Sequence, residues 1–66
     1  MAIAKVIEVI SSSTDTIEQA IRDGVAKAAE TVSDIQGVWV KDTKGVVKKG
    51  KVIEWRVTLA ITFIVK

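Results

Sequence analysis

Cysteine, histidine, proline and tyrosine are all absent from this 66-residue sequence, and its single phenylalanine joins only two tryptophans. Without cysteine there is no disulfide, and without cysteine or histidine there is no thiolate or imidazole zinc site and no Cys–His nucleophile. Acid–base chemistry would fall to aspartate, glutamate and lysine. The eight carboxylates are scattered with no pairing that their spacing enforces, so the sequence reads as a non-enzyme. Gly24, Gly37, Gly45 and Gly50 build no phosphate-cradling motif, and the acidic residues follow no calcium-loop pattern. No apolar stretch is long enough to span a bilayer. Met1–Ile10 lacks the basic start and apolar run of a signal peptide, and the lack of cysteine fits a reducing compartment. The expected location is cytoplasmic, with no membrane partner.

Length sets the next constraint. Residues 1–66 are expected to form one domain, and a chain of this size buries only about 60% of its unfolded surface. Below about 70–80 residues a single core rarely supplies more than about 3–5 kcal/mol, so small domains add disulfides, metals or partner subunits. With the first two curtailed by composition, association with further copies of the chain is the remaining support. The net charge of +2 comes from ten basic and eight acidic residues, and the basic excess is local to Lys41, Lys44, Lys48, Lys49 and Lys51. These lysines lack the interleaved aromatics or groove-reading helix of a nucleic-acid surface. They read as a solvated hairpin tip that keeps strand edges from pairing with other chains.

What is present in strength is alternation. From Lys51 to Lys66 the odd positions read Ile53, Trp55, Val57, Leu59, Ile61, Phe63 and Val65, against Glu54, Arg56, Thr58, Ala60 and Thr62 at even ones. That is a long β-strand with one apolar face. The even face, where Arg56 sits among Thr58, Ala60 and Thr62, is too apolar in its second half to be plain solvent surface. Ala2–Ile10 also reads as a strand, with Ile3, Ile7 and Val9 on one face and Ala4, Val6 and Ile10 on the other. Two apolar faces call for cover on both sides.

Ser11–Asp15 is expected to stop this strand and start a helix, with Ser13 or Asp15 capping the free amides of the first turn. The helix should run to about Val32, with an apolar stripe of Ile17, Ile21, Val25, Ala28 and Val32. Glu18–Arg22 and Asp23–Lys27 stand at favourable i,i+4 spacing. Ala20, Gly24, Ala28 and Ala29 are small enough to let a curved sheet approach the helix axis. Gly24 in mid-helix costs roughly 1 kcal/mol against alanine, and close approach is its rationale.

After Ser33-Asp34 a second strand is expected over Ile35–Val47, with Val38 and Val40 on the helix face and Gly37, Trp39, Lys41 and Thr43 on the other. The alternation falters after Val40, through either a bulge near Gly45 or extension past the helix. Lys48-Lys49-Gly50-Lys51 turns the chain, with Gly50 free to take positive φ. Centring an antiparallel pair on that turn sets Val40 opposite Leu59 and Thr43 opposite Arg56. The result is an α+β architecture, β-α-β-β, with a three-stranded antiparallel sheet.

Three side chains remain for function. Trp55 belongs to the apolar face as core or subunit filling. Trp39 projects from the face away from the helix, where an indole is exposed, buried in a subunit contact or stacked on a ligand. Arg56 shares that face, able to hold an anion or to pair with Glu54 of a neighbouring copy.

Lys5-Val6-Ile7-Glu8-Val9-Ile10, the serine-rich cap, Ala26-Lys27-Ala28-Ala29, the turn at Gly50 and Trp55-Arg56-Val57-Thr58-Leu59, in this order and spacing, resemble the dodecin family over nearly the whole chain. The resemblance implies a sheet partly wrapping one helix, twelve such copies assembled into a hollow dodecamer, and storage or sequestration of flavins such as FMN or riboflavin. Members stack the flavin on a tryptophan near a two-fold axis and hold it with a glutamine on the last strand. On alignment these positions are Gly37 and Arg56 here, with Trp39 two residues on from the first. That substitution resembles a flavin-poor branch that includes calcium-binding members, so a shell that binds no flavin and associates with calcium or magnesium is the alternative. The site expected for a flat ligand is Gly37, Trp39 and Arg56.

Overall fold

A computed structural model describes residues 2–66. Four elements follow one another: β1 (Ile3–Ser13), α1 (Ile17–Ala28), β2 (Ile35–Lys48) and β3 (Lys51–Val65). The strands form one antiparallel sheet in the order β1-β3-β2, so the most apolar strand takes the centre. The β-α-β-β architecture read from the sequence is the one observed.

Side chains of β3 alternate as their sequence requires. Val57, Leu59 and Ile61 point to the helix and are fully buried, flanked by Ile7 and Val9 of β1. From α1 the matching line is Ala20, Gly24 and Ala28, all buried, while Ile17, Ile21 and Val25 are half-buried beside it. The helix thus meets the sheet along its small residues and not along the centre of the expected aliphatic stripe. The contact is close: a Cβ on Gly24 would lie 2.6 Å from Leu59 Cδ1 and 3.1 Å from Ser11 Cβ.

Element ends depart from the sequence reading where tertiary contacts outweigh local preference. β1 runs through the serines to Ser13, because Ser11, Ser12 and Ser13 find backbone partners opposite Val57, Arg56 and Trp55 of β3. Neither Ser13 nor Asp15 caps the helix. Ser13 Oγ accepts from the Asp15 N–H at 3.0 Å and so shapes the turn, while Thr16 is the N-cap, its Oγ1 accepting from Gln19 N–H at 3.0 Å. The helix ends at Ala28 rather than Val32. There Glu30 N–H bonds Lys27 O, and both the N–H and the hydroxyl of Thr31 bond Ala28 O, which tightens the last turn. Glu18 pairs with Arg22 as expected, at 3.7 Å, but Lys27 pairs with Glu30 at 3.3 Å while Asp23 accepts from Gln19 at 2.7 Å.

β2 bulges at Lys41, between Val40 and Asp42, with further register shifts at Ile35/Gly37 and at Val46/Val47, the last beside Gly45 where an irregularity was expected. Val40 does face Leu59, but the inserted residue moves Thr43 opposite Val57 and Lys44 opposite Arg56. This resolves the faltering alternation: beyond the bulge Asp42 and Lys44 lie on the outer face, while Thr43 and Gly45 turn inward. Lys48 and Lys51 close a two-residue turn whose central residues, Lys49 and Gly50, have φ of 52° and 76°, the type I′ pattern. From Glu54 to that turn the sheet has only two strands, and this arm stretches the protomer to 52 × 19 × 14 Å.

Candidate functional site

The sheet face away from α1 carries the side chains that the fold itself does not use. Its rows run across the three strands: Val6, Thr62 and Gly37; Glu8, Ala60 and Trp39; Ile10, Thr58 and Asp42; Ser12, Arg56 and Lys44. No element among the described residues packs over these rows, and Val6 is 60% exposed, Ile10 68% and Trp39 64%. Exposed apolar side chains standing together as these do mark a binding or association surface, although Ile3, Val38 and Val40 of the helix face are exposed as well.

Trp39 and Gly37 are neighbours on this face, two residues apart on β2. A Cβ placed on Gly37 would meet nothing within 4 Å, so the indole of Trp39 stands beside open space. Arg56 shares the face but not the place. It lies four residues along β3 from Ala60, the residue opposite Trp39, which is about 13 Å at the rise of a strand. Its guanidinium donates to Glu54 Oε2 of the same copy at 2.9 Å. Within one protomer the structure brings Gly37 and Trp39 together and leaves Arg56 apart.

Two residues that the sequence reading did not single out stand where Arg56 was expected. Lys41 donates to Glu8 Oε2 at 2.9 Å, across the sheet, and its Nζ lies 5.5 Å from the centre of the Trp39 ring. Ala60, between Glu8 and Trp39 in the row, is buried at 5%. The pair spans 33 residues of sequence and depends on the bulge that carries Lys41, so no local pattern announced it. The remaining charges of the face are also paired, Lys44 with Asp42 at 3.7 Å and Arg56 with Glu54. The outer face is therefore electrically balanced in a single copy.

Trp55 faces the helix side as expected, but past the end of the helix, where it covers Gly45. A Cβ at Gly45 would lie 3.3 Å from its ring. On that same side an open groove of about 540 Å³ runs between α1 and β1, lined by Ile7, Val9, Gly24 and Ala28 with Asp23 and Lys27 at its rim. It is largely apolar and remote from Trp39. Among the described residues no three His, Cys, Asp or Glu side chains converge on a point. No helix among the described residues is long and apolar enough to cross a membrane.

Comparison with known proteins covers nearly the whole chain. The dodecin family model matches residues 3–66. Among solved structures, dodecin from Streptomyces coelicolor is 29% identical, with a TM-score of 0.93 over 98% of this chain and 93% of that one. Calcium dodecin from Mycobacterium tuberculosis, described as a calcium-chelating antigen, is 30% identical, with a TM-score of 0.84 over 97% and 91%. A Thermus thermophilus protein is 26% identical, with a TM-score of 0.94 over 100% and 97%. Comparison with curated protein sequences gives no match.

Proposed function

This chain belongs to the dodecin family, and from that premise we propose that it is a non-enzymatic binding protein whose copies, each a single domain, assemble into a hollow homo-dodecamer that stores or sequesters a flavin. The observation that carries this reading is the exposed indole of Trp39 beside the empty space at Gly37, on a sheet face that the chain leaves uncovered. A planar ligand fits there: the indole offers a stacking surface, and the missing side chain at Gly37 leaves room for the ring system. Self-association accounts for the same face, because Val6 and Ile10 gain cover only from another copy. Assembly also explains how so small a core persists, with Val57, Leu59 and Ile61 as its only large fully buried side chains among the described residues.

Ligand binding near a two-fold axis would bring two copies of this face together, and Arg56 would then contact carbonyl or phosphate oxygens of a flavin from a neighbouring copy. Arginine offers donors only, which favours FMN over riboflavin. The test is titration of the purified protein with FMN and riboflavin, followed by tryptophan fluorescence, in wild type, Trp39→Ala and Arg56→Gln. Trp39→Ala should cost about 1–3 kcal/mol of binding, the range for stacking of a base on an aromatic ring. Equal affinities in all three proteins would assign these residues to a subunit contact instead.

A second reading rests on Gly37 itself, which stands where the family places its stacking ring. On this reading the assembly is a flavin-free shell associated with calcium or magnesium. A colourless protein with unchanged fluorescence on flavin addition, and a divalent metal found by elemental analysis, would favour it.

A further inference from the structure

Lys41 is the inserted residue of the β2 bulge, and its ammonium lies against the indole on which a ligand would rest. Val40 pairs with Leu59 and Asp42 with Thr58, so Lys41 stands outside the ladder. Its side chain reaches over the sheet to Glu8 and is 37% exposed, the most covered cation among the ion pairs of the described residues. Stacked rings approach to about 3.5–4 Å, and the Lys41 Nζ lies 5.5 Å from the Trp39 ring centre. The ammonium thus stands where a ring stacked on that side of the indole would extend.

Resting on the reading of Trp39 as a ligand platform, the geometry points to Lys41 as the residue that selects planar ligands bearing a phosphate or carboxylate over neutral ones. Glu8 is the built-in competitor for its charge. A ring that stacks on Trp39 displaces the ammonium from the indole and from Glu8, which removes a cation–π contact and a charge-assisted hydrogen bond. An anionic group on the ligand can take the ammonium in place of Glu8. A neutral polyol chain offers no such replacement. The other cations of the outer face are engaged elsewhere, Lys44 by Asp42 and Arg56 by Glu54, and Arg56 lies two rows away. Selection within one copy therefore falls to Lys41.

The test compares FMN with riboflavin, which share a ring system and differ by one phosphate. Affinities are measured on the assembled protein at fixed ionic strength, for wild type, Lys41→Met, Lys41→Arg, Glu8→Gln and Arg56→Gln. Wild type should prefer FMN roughly tenfold, the scale of one charge-assisted contact. Lys41→Met should lower the ratio to the share that Arg56 of a neighbouring copy contributes, Lys41→Arg should keep it, and Glu8→Gln should widen it by freeing the ammonium. Added salt should narrow the wild-type ratio more than that of Lys41→Met. An FMN preference undiminished in Lys41→Met, or one lost only in Arg56→Gln, overturns the assignment while leaving flavin binding intact. If neither flavin binds any of the five proteins, the platform reading fails and this inference fails with it.

Discussion

The two faces of β3 are built from alternating residues of one strand, yet they meet different fates. On the inner face Val57, Leu59 and Ile61 are fully buried by α1 and the flanking strands. On the outer face Thr58 and Thr62 are only partly covered, and the neighbouring strands expose Val6, Ile10 and Trp39. The centre of the inner face is covered by the chain itself because α1 presents Ala20, Gly24 and Ala28, which permit close approach, while Ile3, Val38 and Val40 toward its edges stay exposed. The outer face has no such partner among the described residues. One face therefore makes the protomer, and the other stays open.

The largest expected effect comes from a charge on the outer face. Thr62→Glu would bury an unpaired carboxylate at a subunit contact, where removal of compensation costs about 3–5 kcal/mol. Native mass spectrometry should show loss of the large assembly. A variant that stays assembled would mean that this part of the face is not a contact. Truncation on the inner face comes next. Leu59→Ala empties the position that meets Gly24 and should cost about 2–5 kcal/mol, read as a lower urea midpoint at constant protein concentration. Near-equal effects of Leu59→Ala and Thr62→Ala would erase the distinction between the faces.

Gly37→Trp acts on the binding side of the outer face. A Cβ there meets nothing within 4 Å, so the protomer should tolerate the substitution and its far-ultraviolet circular dichroism should be unchanged. Flavin affinity should rise by about 1–3 kcal/mol in fluorescence titration. Smallest is Gly24→Ala. A Cβ 2.6 Å from Leu59 Cδ1 overpacks the helix contact by about 1–3 kcal/mol, against which alanine returns about 1 kcal/mol of helix propensity. A net loss of up to about 2 kcal/mol is expected in the same urea experiment. A stabilised protein would show that the sheet has room to withdraw.

Much of the fold is legible in the sequence because burial imposes a period. Strict alternation along Ile53–Val65 identifies a strand whatever its surroundings, and Lys49-Gly50 between two strands identifies the turn. The sites that escape are those decided by partners distant in sequence. Three serines would end most strands, but a long neighbouring strand pairs them and carries β1 to Ser13. Ser13 and Asp15 are as suited to capping as Thr16, and the angle at which the chain leaves the sheet chooses among them. Gly37 and Trp39 are recognisable as neighbours from their spacing on one strand. Arg56 is readable as sharing their face, and the register that sets Val40 opposite Leu59 already places it four residues along β3 from Ala60, the residue opposite Trp39.

Sequence alone determined the order of elements, the two apolar faces and the small-residue line of the helix, since each follows from local side-chain type and periodicity. Tertiary structure alone decided where β2 gains its extra residue. That decision sends Asp42 outward and Thr43 inward, and lets Lys41 cross the sheet to Glu8 above Trp39. The physical reason is that a bulge is settled by how two whole strands and a helix fit together, and no stretch of residues near Lys41 contains that information.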